Sequence, residues 1–334
     1  MSLWLQLLLC LVVIGIAGWH LSINGDIIAR KTGLSGSWVG LILLATATSL
    51  PELVAGVSAV TAARAPDIAV GNVLGAAVFN LVFLVVLDAL YRKETLYSRA
   101  AQGHILSAAL GALMISFVGF SLLLDHGGIS PRLGHVGAYT PFILVLYLVS
   151  MRAVYQYEQR TVAEFVEEQA DRYAGITLRQ AMIRYALAAV SIVAAGILLP
   201  FVAKALAAEM GWEQSFVGTL LVAAVTTVPE AAVTLSALRL GALDMAIANL
   251  LGSNLFNMTI LAIDDIAFTQ GPLLASVNNT HALTALAAVM MNTLVIVGLI
   301  FRPKGRVLLG LSWISLGLFM LYIANTWVLF AHGN

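Results

Sequence analysis

Ala47-Thr48-Ser49-Leu50-Pro51-Glu52 and Val225-Thr226-Thr227-Val228-Pro229-Glu230 are two versions of one pattern. Each sets two hydroxyls and a glutamate around a proline, deep inside an apolar run. A carboxylate at that depth in a hydrocarbon layer is costly and marks a functional position. The 334-residue chain is 60% hydrophobic and only 10% charged. A water-soluble domain carries about 25% charged residues, so the composition is that of a membrane protein. Seventeen basic and 17 acidic residues give zero formal charge, which leaves no electrostatic footprint for a nucleic-acid partner.

About 20 apolar residues cross a bilayer, and ten such spans can be drawn. The first five lie near 2–19, 38–63, 68–90, 103–124 and 138–155. The second five lie near 182–203, 214–239, 244–266, 281–301 and 306–330. The run Leu3–Ala17 has no Lys or Arg ahead of it. A secretory leader would want a basic start, so this run reads as the first span. The expected fold class is therefore an all-α membrane protein with ten transmembrane helices. Residues 1–155 and 182–334 are two five-helix halves, joined by a polar connector at 156–181. Fourteen of the 17 Lys and Arg residues fall in one alternate set of loops, connector included; Arg64, Arg132 and Lys204 fall in the other. The positive-inside rule puts the connector in the cytoplasm and both termini outside, for a multi-pass protein of the plasma (inner) membrane.

The halves repeat. At an offset of 178, Val39-Gly40 matches Val217-Gly218, Thr48 matches Thr226, and Pro51-Glu52 matches Pro229-Glu230. After one residue is lost the offset is 177, and Asp67, Asn72, Gly75, Phe79-Asn80 and Asp88 match Asp244, Asn249, Gly252, Phe256-Asn257 and Asp265. The two motifs cover 39–90 and 217–266. Five spans separate the copies, so the second enters from the opposite side. Inverted-topology repeats characterise secondary transporters that bind substrate near the midplane.

The chemistry points to a hard cation. Pro51 and Pro229 lack an amide hydrogen and free the carbonyls of Ala47 and Val225. Thr48 and Glu52 share a helix face, as do Thr226 and Glu230. The next span carries Asn72, Ala76 and Asn80 in one copy, and Asn249, Ser253 and Asn257 in the other. Small residues at Gly71, Gly75, Ala76 and Ala77 allow close helix approach. Carboxylate, amide, hydroxyl and carbonyl oxygens suit Ca²⁺, and two glutamates match the charge of one divalent ion. No thiolate or histidine belongs to the repeat, which disfavours soft metals.

These motifs, ATATSLPE with GNVLGAAVFN and VAAVTTVPE with ANLLGSNLFN, resemble the two alpha-repeats of the sodium/calcium exchanger superfamily. The resemblance implies Ca²⁺ antiport by alternating access, with spans 1 and 6 moving against a core of spans 2, 3, 7 and 8. It implies Glu52 and Glu230 as central Ca²⁺ ligands. Thr48, Ser49, Thr226 and Thr227 would add hydroxyls or carbonyls, Ala45 and Ala223 backbone carbonyls, and Asn80, Ser253 and Asn257 the remainder. The chain departs from the pattern at Ala47 and Val225, where a glycine is usual. It also lacks a hydroxyl at Ala76, and has an amide at Asn257 where many exchangers carry aspartate. The coupling ion is thus Na⁺ by family default, with H⁺ the alternative, and another divalent ion such as Mg²⁺ or Mn²⁺ remains open.

The other polar residues carry expectations too. Asn80 and Asn257 could simply bond neighbouring helices. Asp88 is expected to pair with Arg92 or Lys93, while Asp264 and Asp265 have no base nearby and could attract cations at an outer vestibule, the less favoured reading for them. Cys10 reads as a small buried hydrophobe. Glu164, Glu167, Glu168 and Asp171 read as a solvated helical face. No phosphate-binding loop or nucleophile constellation is present, so neither an ATP-driven pump nor an intramembrane enzyme is expected; a cation channel fits an inverted repeat less well. No cofactor and no obligate protein partner are expected beyond the transported ions and the bilayer.

Overall fold

A computed structural model describes residues 2–32, 48–92, 94–168, 175–307 and 310–332. It is almost wholly helical: α1 (Leu3–Lys31), α2 (Leu50–Ser58), α3 (Pro66–Leu90), the short α4 (Leu96–Arg99), α5 (Gly103–His126), α6 (Tyr139–Glu168) and α7 (Leu178–Met210). The second half continues with the short α8 (Gln214–Val217) and α9 (Ala223–Thr226), then α10 (Val228–Arg239), α11 (Leu243–Ala267), α12 (Thr280–Phe301) and α13 (Trp313–His332). A two-stranded hairpin, Arg132–Leu133 with Val136–Gly137, joins α5 to α6.

Among the described residues, seven helices are long and apolar enough to cross a membrane, or eight if the bent pair Gln214–Thr226 and Val228–Arg239 is one span. Two shorter apolar helices, Leu50–Ala63 and Tyr139–Val154, accompany them. Exposed apolar residues line the outsides of the long helices, including Leu5, Leu8 and Val12 on α1 and Met182, Leu187 and Val190 on α7. Such surface is stable only against lipid. The protein is an integral multi-pass membrane protein.

Several ends differ from expectation. The first span runs on to Lys31, α6 continues through the connector to Glu168, and α13 begins at Trp313. Residues 156–168 are largely good helix formers, so polarity there does not end the helix. The connector's second half is tied down at Thr177. Its hydroxyl accepts from Gln180 N (3.3 Å) while the Gln180 side chain accepts from Thr177 N (3.1 Å), a capping box that starts α7.

α3 and α11 are the most buried of the spanning helices, at 67% and 78%. They run antiparallel, as their end contacts show. At one end, Asp67 Oδ1 meets His281 Nε2 (3.1 Å), Gly137 N donates to Asp265 (2.9 Å), and Lys204 Nζ donates to the Ala63 carbonyl (2.7 Å). At the other, Asp244 Oδ1 meets His104 Nε2 (3.0 Å), and Leu96 N and Ser312 N donate to Asp88 (2.8 and 2.9 Å). α3 therefore starts at the Asp265 end, where α11 finishes. The paired contacts recur at the sequence offset: Ala101 N and His104 hold Asp244 as Asn278 N and His281 hold Asp67.

Asp88 is not the surface ion-pair partner expected for Arg92 or Lys93; Lys93 lies outside the described residues. It is fully buried, and its two oxygens take the Leu96 and Ser312 amides and the Ser315 hydroxyl (2.7 Å). Asp265 is likewise buried, held by Gly137 N, Leu273 N (2.7 Å), Tyr139 OH (2.6 Å) and Thr140 Oγ1. Neither aspartate faces a vestibule. Each instead stitches the end of a core helix to loops that follow it, because a buried carboxylate needs several donors when no base is near.

Glycine sets the closest crossing. A methyl at Gly75 would overlap the Thr219 carbonyl and lie 2.8 Å from Ala223 Cβ, and one at Gly71 would lie 2.9 Å from Thr219 N. The facing backbone is a π-helical turn, Gly218–Val222, in which Gly218 itself approaches Ile68 Cα. Overpacked contacts of this kind cost about 1–3 kcal/mol. Gly75→Ala is expected to lower the thermal unfolding midpoint of the purified protein in detergent. Gly305→Ala, whose methyl meets nothing, is expected to leave it unchanged.

Candidate cation site

Both proline–glutamate motifs sit where a helix is interrupted. α9 ends at Thr226 and α10 starts at Val228, with a 45° bend at Thr227. Pro229, in the first turn of α10, cannot donate back across that break. In the first copy α2 starts at Leu50 with Pro51 in its first turn, preceded by a turn at Ser49. Each glutamate thus stands in the first turn of a short helix, near the positive end of its dipole, where a carboxylate is favoured.

The motifs interlock. Ser49 Oγ donates to Glu230 Oε1 at 3.0 Å, a bond from the first copy to the second. Returning the link, Thr226 Oγ1 donates to Asn72 Oδ1 at 2.9 Å. Asn72 in turn donates to the Glu52 carbonyl, and Asn249 donates to the Glu230 carbonyl, both at 3.3 Å. Asn72 and Asn249 are therefore braces that hold each glutamate's backbone against the neighbouring core helix. The glutamate side chains are buried, at 0% and 1% exposure. Among the described residues, Glu52 Oε1 and Oε2 and Glu230 Oε2 have no hydrogen-bond partner. So too Ser253 Oγ and Asn257 Oδ1 on α11. Five oxygens, three of them on carboxylates, are thus buried without a donor. Buried polar atoms normally find partners, and a cation is the partner that suits acceptors alone.

The remaining predicted residues are placed as follows. Thr48 is buried. Ala223 is also buried, and its carbonyl accepts from Thr227 N (3.0 Å) and from the hydroxyls of Thr227 (2.7 Å) and Thr226 (3.3 Å). To reach a cation, that carbonyl would have to release a hydroxyl. Ala45 lies outside the described residues, as does Ala47. Asn80 Nδ2 donates to Asn254 Oδ1 at 3.0 Å, so it takes part in a helix–helix bond as well as lining the site. A cleft between α3 and α10 reaches Asn80 and Thr227; Phe79, Phe83, Ala224, Val228 and Ala231 complete its walls. No group of three or more His, Cys, Asp or Glu side chains that could hold a metal ion is present among the described residues. Any ion here is held by two carboxylates and neutral oxygens.

Asn254 is the residue that the motif comparison passed over. It donates to the Ala77 carbonyl at 3.3 Å and accepts from Asn80. Its counterpart at the 177 offset is Ala77 itself, so Asn254 reaches across to its own repeat mate where α3 and α11 cross. A buried asparagine inside an apolar span was the available signal. Asn254→Ala removes the side-chain donor to the Ala77 carbonyl and leaves the Asn80 amide without its acceptor. It is expected to destabilise the protein by about 1–3 kcal/mol, read as a lower unfolding midpoint, and to weaken divalent-ion protection against unfolding.

Comparison with known proteins agrees with this fold. The H⁺/Ca²⁺ exchanger CAX superposes with a TM-score of 0.68 at 14% identity, covering all of this chain and 86% of that one. The sodium-calcium exchanger NCX_Mj superposes at 0.59 with 20% identity, covering 97% and 98%. In sequence, the inner membrane protein YrbG of Escherichia coli K12 is 27% identical over 71% of this chain and 70% of its own length. The putative antiporter CaxA of Alkalimonas amylolytica is 27% identical over the same shares. The sodium/calcium exchanger protein family matches residues 2–155 and 181–328, so the chain belongs to that family of membrane cation exchangers.

Proposed function

We propose that this protein is a secondary antiporter that exchanges Ca²⁺ for Na⁺ at a midplane site built by Glu52 and Glu230. The observation that carries the reading is the Ser49–Glu230 bond, which joins the motifs while leaving three carboxylate oxygens without donors. Two carboxylates neutralise one Ca²⁺, and the further ligands we assign are drawn from Thr48, Ser49, Thr226, Thr227, Asn80, Ser253, Asn257 and the carbonyls of Ala223 and of Ala45, which lies outside the described residues. Six to eight oxygens complete such a shell. Na⁺ competes for the same carboxylates, so occupancy is exclusive, and exclusive occupancy is what couples two opposed fluxes.

The architecture we assign is ten spans in two inverted five-helix repeats, the second span being the one expected near 38–63, of which 38–47 lie outside the described residues. α1 and α7 pack along each other through a cluster of their own, Ala17 and Leu21 with Ala188 and Ile192. Each leans on the opposite motif: Gly18 abuts Pro229, and Gly196 abuts Val54. This pair is the unit that rocks against the α2, α3, α10 and α11 core. A second reading, H⁺ in place of Na⁺, is favoured by Ala76 and Asn257, which subtract a hydroxyl and a carboxylate from the usual set. The relatives bear on both readings, since CAX is an H⁺/Ca²⁺ exchanger and NCX_Mj a sodium-calcium exchanger.

⁴⁵Ca²⁺ uptake into proteoliposomes under separate Na⁺ and pH gradients tests the reading. Uptake is expected under an outward Na⁺ gradient, with Glu52→Gln and Glu230→Gln each reducing it about 30-fold or more, the factor for the ~2–5 kcal/mol lost when one member of a buried charged set is removed. Full uptake in both variants would refute the site, and uptake driven by pH alone would select H⁺.

Orientation follows from the basic residues: Arg64 ahead of α3, Arg132 on the hairpin and Lys204 near the end of α7 lie at the Asp265 end, which we assign to the outside. C-terminal fusions after Asn334 are expected to yield active alkaline phosphatase and dark green fluorescent protein. The reverse pattern would invert the topology.

A further inference from the structure

Asp264 is the one carboxylate of the core whose surroundings neither the scaffold nor the glutamate pair accounts for. It is fully buried, and neither Oδ1 nor Oδ2 has a hydrogen-bond partner among the described residues. Its neighbour Asp265 takes the amide, phenol and hydroxyl donors of the surrounding loops, while Asp264 turns the other way, onto α2. There it rests on Gly56: a methyl at that glycine would lie 2.7 Å from Oδ1 and overlap Oδ2. Gly56 is one turn beyond Glu52, a rise of about 6 Å. On its own helix, Asp264 shares a face with Ser253 and Asn257, at spacings of 11 and 7 residues. All three carry buried oxygens without donors. A line of acceptors thus runs from the site toward the Asp265 end.

The repeat does not supply this line twice. The counterparts of Gly56 and Asp264 are Thr234 and Leu87, and the Thr234 hydroxyl is taken by Asn249 at 3.0 Å. On the side toward the Asp88 end the repeat therefore places no carboxylate at the equivalent position. A lone buried carboxylate holds one positive charge. No group of three or more His, Cys, Asp or Glu side chains that could hold a metal ion occurs among the described residues, so the charge that suits Asp264 is a proton rather than a metal ion, which would need a shell of oxygens. Intramembrane aspartates without a basic partner mark proton relays in transporters.

We propose that Asp264 is a proton-accepting station in the passage between Glu52 and the Asp265 end. The carboxylate takes a proton from a hydronium ion entering from that end, forming a neutral acid and releasing water; it loses the proton by the same route when the site exchanges its ion. The inference rests on reading Glu52 and Glu230 as the cation pair. The titratable groups around it are Asp265 on its own helix, Glu52 on α2, Asp125 and His126 at the end of α5, and His135 and Tyr139 on the hairpin and α6. α3 offers none between Asp67 and Asp88, and α10 only Glu230 and Arg239.

Infrared difference spectra of the full-length protein in lipid, taken between high and low pH without divalent ions, test the station. A carbonyl-stretch band of an unbonded carboxylic acid is expected on acidification. It should be lost in Asp264→Asn and kept in Glu52→Gln. Asp264→Asn should retain Ca²⁺-protected thermal stability, which shows that the fold and the glutamate pair are intact. A band unchanged in Asp264→Asn, or no pH-dependent band at all, overturns the proposal. So does a band that responds to NaCl at fixed pH and ionic strength, which would make the station a Na⁺ site. Because the band is read without Ca²⁺, it is decided separately from Ca²⁺ exchange: a protein that binds no Ca²⁺ would refute the exchange reading and leave the band to be scored.

Discussion

Two carboxylates stand inside a membrane helix bundle, and the chain offers them no base. No Lys or Arg occurs in residues 32–63, 65–91, 205–238 or 240–301, which hold both motifs and both core helices. An ion pair with Glu52 or Glu230 would have to come from outside these segments, and the helix dipoles and the Ser49 bond satisfy only part of the two side chains. The rest of the structure follows from that deficit. It must bring the two glutamates to one place, keep lipid away from them, and leave acceptors free for an ion that arrives and departs.

The scaffold meets these demands by treating its other carboxylates in the opposite way. Asp67, Asp88, Asp244 and Asp265 are each given donors from loops or histidines, in pairs that recur at the repeat offset. The amides of Asn72 and Asn249 do the same for the glutamate carbonyls. Saturated carboxylates at the helix ends make α3 and α11 rigid reference elements. Unsaturated ones at the centre are available for ligands. The same side-chain chemistry is thus saturated or left with open acceptors according to whether the fold brings amides to it.

Much of this was legible in the residues. The repeat, the membrane character, the break at each proline and the burial of both glutamates follow from period, hydropathy and the missing amide of Pro51 and Pro229. Close approach at Gly71 and Gly75 was readable for the same reason, since small residues at that spacing serve little else in an apolar helix. What could not be read was pairing over long range. Asp88 lies four residues from Arg92 and was assigned to it or to Lys93, yet Ser312 and Ser315, more than 220 residues away, hold it. Asp264 and Asp265 are adjacent and look alike in sequence, but successive helical residues point about 100° apart, so one meets the loop amides and the other meets Gly56. Asn254 escaped because its repeat mate is alanine, and comparison of the copies rewards only what is kept in both.

The departures from symmetry carry as much meaning as the symmetry. A carrier that opens alternately to two sides needs two conformations of similar free energy, and an ideal inverted repeat supplies them by making each the mirror assignment of the other. Here the braces and end clamps obey that relation, while Ala76 against Ser253, Ala77 against Asn254, Gly56 against Thr234 and Leu87 against Asp264 break it. Asn254 adds bonds at the crossing of α3 and α11 that have no equivalent from the first repeat. Asp264 places a potential negative charge on one side of Glu52 only, and a ligand shifts an equilibrium only by its difference in affinity for the two states. Under the alternating access proposed above, the asymmetric residues are therefore where the two states would acquire different energies.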